Sequence, residues 1–343
     1  MKKRILIFNV NWLGDVLFST PVIRNVRRNF PDSFLACVIP SRCYPVLKDN
    51  PYLDEIIIFD EKDRHKGILG QLNFVKTLKD RKFDTVYLLH RSLKRALICR
   101  LAGIENRIGY NTKRRGFLLT CKIEPPDRDS MHRVDYYLNV VEKAGLKIED
   151  RYTEFFYSHD DELFVRDFLK KYSISKNDFV VGINPGGNWL PKRWPAENWS
   201  RLADMLMQDL GCKVIITGSS SDVKLVKQIT AHMLHRPILA VATLNIKQLG
   251  ALCKELDLFI TADTGPLHIA NAVGAKNIIA LFGPTLPMIT GPMLAKNALI
   301  LQKNVGCRLP CYEVNCVDNR CMKAITVEDV ATAVRQTCLP AGR

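Results

Sequence analysis

Short apolar runs rich in β-branched residues alternate with longer segments of helical period along almost the whole chain, which commits it to βα units and parallel sheets. A first series predicts strands at 4–9, 34–39, 55–59 and 84–90, with helices near 17–29, 66–80, 92–102 and 131–145. Ser130 is the candidate N-cap of the last helix and Gly145 its stop. An amphipathic stretch at 160–172 and a polar connector at 173–178 separate this series from a second. There the strands are predicted at 179–184, 213–217, 237–241, 257–261 and 277–282, with helices near 195–210, 221–234, 246–255 and 266–273. The expected organisation is two α/β domains, 1–175 and 176–343, with a cleft between them. A tail helix near 326–338 could dock on either.

A chain of 343 residues suits two cores of this kind, and 47% hydrophobic against 25% charged residues excludes a mainly disordered protein. The formal net charge is +15, of which residues 1–150 carry +10, so an anionic partner is expected at the first domain. The start reads as a first strand rather than a secretory leader, because its apolar run ends in Asn9, Asn11 and Asp15. The stretch between Lys276 and Lys296 is broken by Gly283, Pro284, Pro287, Gly291 and Pro292, which excludes a bilayer helix. Eleven cysteines without a leader point to reduced thiols in a cytoplasm.

Four loops at strand ends could carry chemistry. Asn9-Val-Asn-Trp-Leu-Gly-Asp15 lacks the spacing of a dinucleotide site. Its Asp15 reads as a helix N-cap or as a general base for a hydroxyl brought into the cleft. Pro185-Gly-Gly-Asn-Trp-Leu-Pro-Lys192-Arg-Trp-Pro195 pairs glycines, which admit a ligand close to the backbone, with two cations, a combination suited to a diphosphate. Asp263-Thr-Gly-Pro-Leu-His268 starts a helix whose amides could bind phosphate oxygens without a metal. Thr264 and Gly265 lie at its start and His268 one turn in. Asp222, after the strand at 213–217, could accept from ribose hydroxyls or cap a serine-rich turn.

Lys94, Arg95, Lys113, Arg114 and Arg115 punctuate the basic domain, either as a solvated face or as ligands for an anionic acceptor or membrane surface. Nucleic acid is set aside, since no helix-turn-helix, zinc-finger spacing or basic face interleaved with aromatics is evident. Cys307, Cys311, Cys316 and Cys321 lack the C-x-x-C pairs of common zinc sites, and no acidic pair stands ready to hold a divalent ion against a nucleotide. The expectation is therefore no metal and no cofactor.

Taken together, the opening Ile5 to Pro21, the 185–195 loop, Arg107-Ile-Gly-Tyr110, Asp263-Thr-Gly-Pro-Leu-His-Ile-Ala270 and Leu281-Phe-Gly-Pro-Thr285 resemble the ADP-heptose:lipopolysaccharide heptosyltransferases, glycosyltransferase family 9. The cysteine-bearing tail is most similar to the heptosyltransferase II branch. Pro-Gly-Gly where that branch usually has Pro-Gly-Ala, and a tail without its frequent histidines, are departures that bear on subtype and acceptor.

The resemblance implies a GT-B fold: two Rossmann-like domains, the first for the acceptor and the second for the nucleotide sugar. It implies inverting, metal-independent transfer of heptose from ADP-heptose to an anionic lipid-linked saccharide of the lipopolysaccharide inner core. Asp15 then matches the catalytic base, Lys192 a phosphate-binding lysine, Asp263, Thr264, Gly265 and His268 the diphosphate loop, and Asp222 an acidic ribose ligand. The implied location is the cytoplasm, compatible with peripheral attachment to the inner membrane. Another nucleotide sugar, or a binding module without turnover, remains open from the residues alone.

Overall fold

The computed structural model describes residues 2–293 and 297–338, and the chain divides after Phe156 into two compact units. In the first, strands β1 (Arg4–Phe8), β2 (Phe34–Ile39), β3 (Glu55–Ile58), β4 (Thr85–Leu88), β5 (Asn106–Tyr110) and β6 (Cys121–Ile123) form one sheet in the order β3-β2-β1-β4-β5-β6. All its pairings are parallel. Leu6, Phe8, Val38, Val86 and Leu88 bury one face of it against Phe74 and Leu78 of the helix Gly67–Asp80 and Ala96 and Cys99 of the helix Leu93–Leu101. The central strands β1 and β2 are nearly continuous apolar runs because helices cover both faces of a parallel sheet.

The second unit repeats the plan. Strands β7 (Val180–Asn184), β8 (Lys213–Gly218), β9 (Ile238–Val241), β10 (Leu258–Ala262), β11 (Ile278–Phe282) and β12 (Ala298–Gln302) pair in the order β12-β11-β10-β7-β8-β9. Again every pairing is parallel. Both sheets thus grow outward from their first strand, and the direction in which strands are added reverses between β1 and β4 and between β7 and β10. A crevice for a ligand opens beyond the carboxyl ends of the strands at such a switch point.

Several expectations are corrected. β5, β6 and β12 were not foreseen: β5 reads Asn-Arg-Ile-Gly-Tyr, and its polar residues hide a strand that pairing with β4 stabilises. The helix Arg133–Glu142 starts from His132, whose side chain accepts from the Val134 amide, so Ser130 is not its cap. The stretch before the expected boundary at 175 forms the helix His159–Lys171, opened by a Ser158–Asp161 capping box. It packs on the helix Ile246–Glu255 through Val165 and Phe168 and so belongs to the second unit. The tail helix Val327–Cys338 docks on the second unit too, where Val330 and Val334 join the core beside the helix Ala196–Leu210.

Candidate active site

β1 ends at Phe8, and the fully buried Asn9 turns the chain off the sheet: its Nδ2 donates to Ser19 Oγ at 2.8 Å, and its Oδ1 accepts from the Val10 amide at 2.7 Å. The helix Leu13–Phe18 follows with Trp12, not Asp15, at the N-cap position and no side-chain cap bond. Asp15 instead accepts the hydroxyl proton of Tyr137, 2.6 Å from its Oδ1. Burial and the neighbouring carboxylate both push the Tyr137 phenol well above its ordinary pKa, so it stays a donor. Around them lies a cavity of about 320 Å³ at the β1/β4 switch point. His90 and Arg91 from the end of β4, Lys113, Arg128 and Tyr136 complete its wall.

This cavity carries an excess of positive charge. Among the described residues, the Arg91, Lys113 and Arg128 side chains have no ion-pair partner, and the buried Arg91 Nε and Tyr136 hydroxyl have no hydrogen-bond partner. Cations left without carboxylates around a carboxylate-bearing cavity suit an anionic ligand that carries a hydroxyl. Lys113 and Arg114 both have positive φ, 53° and 57°, a left-handed turn unusual for residues with side chains.

The five basic residues expected at the acceptor therefore separate. Lys113 reaches the cavity and Arg114 is exposed beside it. Lys94 is half-exposed with Glu61 at 3.5 Å. Arg95 and Arg115 do something else, because both are buried and already bonded to groups of the protein, Arg95 also to Glu61 at 3.1 Å. Arg95 donates to the Asn9 carbonyl at 2.9 Å and Asn11 Oδ1 at 2.7 Å, bracing the loop that bears Asp15. Arg115 donates to the carbonyls of Tyr110 and His90 at 2.8 and 2.5 Å, so it holds the cavity wall rather than a ligand. Sequence reasoning missed Arg91, Arg128 and Tyr137 because nothing in their local pattern separates them from ordinary helix and loop residues.

Burial, with Arg95, Arg115 and Lys113 nearby, pulls the pKa of His90 down to about 3. Its Nδ1 accepts from the Ser92 amide at 3.1 Å, which requires a ring that is unprotonated there. Since the folded pKa lies below the unfolded value near 6.5, the unfolded chain binds the extra proton between these values and stability falls as pH drops from about 6.5 toward 3. His90→Asn, which can still accept from Ser92, should flatten that loss. Thermal melts at pH 7 and pH 5 check it, and an unchanged difference between them rejects the assignment.

At the second switch point, β7 leads into the 185–195 loop and β10 into Asp263. Trp194 pins the loop: it is buried, donates from Nε1 to the Ile325 carbonyl at 2.8 Å and meets the Trp199 ring edge-on at 4.9 Å. This presents Lys192, whose Nζ lies 2.7 Å from Asp263 Oδ2 and 2.9 Å from the Asp263 carbonyl. The same Oδ2 accepts from Thr285 at 2.7 Å and Thr290 at 3.1 Å, and His268 Nε2 lies 3.4 Å from Oδ1. Burial would raise the Asp263 pKa, but His268 and Lys192 outweigh it and hold the group well below the carboxylate range. Asp263 is thus an anionic hub that gathers three hydrogen-bond donors and the His268 ring, and its own carboxylate is only 2% exposed.

Thr264 caps the helix Gly265–Val273 without a side-chain bond, and the amides of that first turn point out of the helix beside Lys192. Gly187 passes so close that a Cβ there would stand 2.8 Å from Thr264 Cγ2. The buried Nε1 of Trp189 has no partner among the described residues, and Lys192 Nζ lies 5.2 Å from its ring. The loop, the ammonium and the helix start form a site with donors for a diphosphate.

Asp222 is placed as a cap. Its Oδ2 accepts from the Ser219 amide and hydroxyl at 2.9 and 2.6 Å, Oδ1 lies 3.5 Å from Arg193, and the residue is buried. A ribose ligand needs a carboxylate turned outward, so the geometry favours the capped turn over the ribose role. The carboxylate lies against Gly186, where a Cβ would come within 2.5 Å of it. Gly186→Ala should therefore destabilise the protein by about 1–3 kcal/mol through overpacking, seen as a lower urea midpoint; an unchanged midpoint refutes the contact.

A sequence profile for glycosyltransferase family 9 (heptosyltransferase) matches residues 71–320. The chain belongs to glycosyltransferase family 9. This glycosyltransferase is 26% identical to lipopolysaccharide heptosyltransferase 2 of Escherichia coli K12 over 310 residues, 87% of each chain. It is 28% identical to lipopolysaccharide heptosyltransferase 3 of the same strain over 282 residues, 79% of this chain and 80% of that one. Its fold is that of the family 9 glycosyl transferase of Veillonella parvula, at TM-score 0.87 and 26% identity over 98% of both chains. E. coli ADP-heptose lps heptosyltransferase II superposes at TM-score 0.79 and 23% identity, also over 98% of both. The expected GT-B architecture is thereby established.

Beside the 185–195 loop and the turn after β11 of the glycosyltransferase, Cys307, Cys311, Cys316 and Cys321 line a cavity of about 280 Å³ with Pro191 and Pro284. The Cys311 amide donates to the Pro284 carbonyl at 2.7 Å and Asn319 Nδ2 to the Arg193 carbonyl at 2.9 Å, so this segment buttresses both loops. No group of three or more His, Cys, Asp or Glu among the described residues is arranged to hold a metal ion. Cys37, Cys43, Cys99, Cys212 and Cys253 are buried, as small hydrophobes would be.

Proposed function

We propose that this glycosyltransferase moves heptose from ADP-heptose to a hydroxyl of the lipopolysaccharide inner core, with inversion and without a metal. The observation that carries the reading is the Lys192–Asp263 cradle at a β-strand switch point, together with relatives named for heptosyl transfer to lipopolysaccharide. Asp15 takes the proton of the acceptor hydroxyl as that oxygen attacks the anomeric carbon from the face opposite the diphosphate. The bond to the diphosphate breaks, and its electron pair leaves with ADP. Lys192, the amides of the 264–268 turn and the His268 ring offset the charge that develops there, the task a divalent ion performs elsewhere. Asp263 positions Lys192 and His268 rather than touching phosphate.

In the first unit Arg91, Lys113 and Arg128 receive the acidic groups of the acceptor and orient its hydroxyl toward Asp15. A lipid-linked acceptor places the reaction at the cytoplasmic leaflet. Among the described residues no helix is long and apolar enough to cross a membrane, so attachment in this reading is peripheral.

Calorimetric titration with ADP, UDP and GDP in EDTA tests the donor assignment. ADP should bind about tenfold or more tightly than the others. Preference for UDP or GDP replaces the sugar nucleotide, and binding of none removes the donor site.

A further inference from the structure

The helices Gly67–Asp80 and Leu93–Leu101 lie side by side on one face of the first sheet, and their outward surfaces are unusual. Ile68 and Leu69 are each 77% exposed, and Leu72 follows one turn on along the same face. The second helix exposes Leu93, Leu97 and Leu101, an i, i+4, i+8 stripe. Phe117, 69% exposed, extends the patch, and Arg100 donates to its carbonyl at 3.3 Å. The inner faces of the same helices, with Phe74, Leu78, Ala96 and Cys99, already fill the core, so folding of the unit gives the outer leucines nothing to do. Contiguous apolar exposure of this kind marks an interaction surface.

The charges interleaved with it decide the partner. Lys76 and Lys79 share the outer arc of the first helix and Arg100 that of the second, and among the described residues none of the three has an ion-pair partner. Lys113 and Arg114 stand in the turn just before Phe117. Asp80 is the one carboxylate in the two helices. Two copies of such a face would set cation against cation, whereas an anionic bilayer takes the leucines into its interface and the cations onto its headgroups. The segment from Leu89 to Leu93 joins the patch to the cavity that holds Asp15.

We propose that the outer face of the helices Gly67–Asp80 and Leu93–Leu101, with Phe117, is a docking surface for an anionic lipid bilayer. It gives the peripheral attachment of the preceding reading a location, and rests on that reading for its purpose. The docked face would present the acceptor cavity to saccharides rooted in the same leaflet.

Flotation of the full chain with vesicles of equal parts phosphatidylethanolamine and phosphatidylglycerol, without donor or acceptor, tests it. The protein should float with these vesicles and not with phosphatidylcholine alone. Leu97→Ser/Leu101→Ser should lower partitioning about tenfold at an unchanged melting temperature. Lys76→Glu/Lys79→Glu, a pair outside the apolar stripe, should lower it and weaken its salt dependence. A wild type that stays in solution, or a serine variant that floats as well as wild type, overturns the proposal. So does a dimer in sedimentation that the serine substitutions convert to monomer, since the face would then bind a second copy. A protein that floats but ignores ADP leaves this surface standing and removes the donor reading alone.

Discussion

Asp15→Asn should reduce transfer by about 10³-fold, within the range that a lost general base costs, while leaving ADP affinity nearly unchanged. The asparagine Oδ1 can still accept the Tyr137 hydroxyl now held at 2.6 Å, so the shape of the cavity survives. What disappears is a group able to take a proton from the attacking oxygen. Release of ADP in the presence of acceptor, measured beside nucleotide titration, separates the two effects. Transfer within twofold of wild type would remove Asp15 from the chemistry and leave it as an acidic residue in a short helix.

Lys192→Ala should weaken ADP binding by about 100-fold, more than the loss of one phosphate contact would suggest. In the proposed mechanism the ammonium offers a charge to the diphosphate, and in the structure it neutralises Asp263 at 2.7 Å. Without it, a buried carboxylate is left facing an incoming polyanion, supported only by His268, Thr285 and Thr290. The double variant Lys192→Ala/Asp263→Asn should accordingly bind ADP better than Lys192→Ala alone, a non-additivity that a double-mutant cycle measures. If the single variant binds ADP like wild type, Lys192 is a scaffold residue, and strictly additive losses would separate it from Asp263.

Both predictions rest on residues that could be picked from the chain before any fold was known. Asp15, Lys192, Asp263 and His268 stand in loops that follow predicted strands, and a doubly wound sheet puts such loops at one end for reasons of chain geometry alone. Periodicity likewise determined most strands and helices, since apolar runs and 3.6-residue patterns are local properties. It failed at β5 and β6, where pairing with a neighbour stabilises a segment whose own residues are polar or short, and it passed over β12, whose Ala-Leu-Ile-Leu-Gln is an apolar run of ordinary strand length.

Charge was the least legible property. Arg95, Arg115, Lys94, Lys113 and Arg114 look alike in a sequence, yet the tertiary structure turns the first two inward onto carbonyl groups and leaves Lys113 at the cavity. Arg91, Arg128 and Tyr137, each from a different loop or helix, join Asp15 only because the sheet order brings β4 beside β1 and the helix Arg133–Glu142 packs against β4 and the helix Leu13–Phe18. Asp222 could serve a ribose or cap a turn until the fold set it against Gly186 and Ser219. The amino-acid sequence by itself determined the fold class, the family and the loops to which the chemistry is assigned, because these follow from local pattern. Which cations are free, which carboxylates are spent and which leucines are left uncovered depend on long-range packing, and only the tertiary structure decided them.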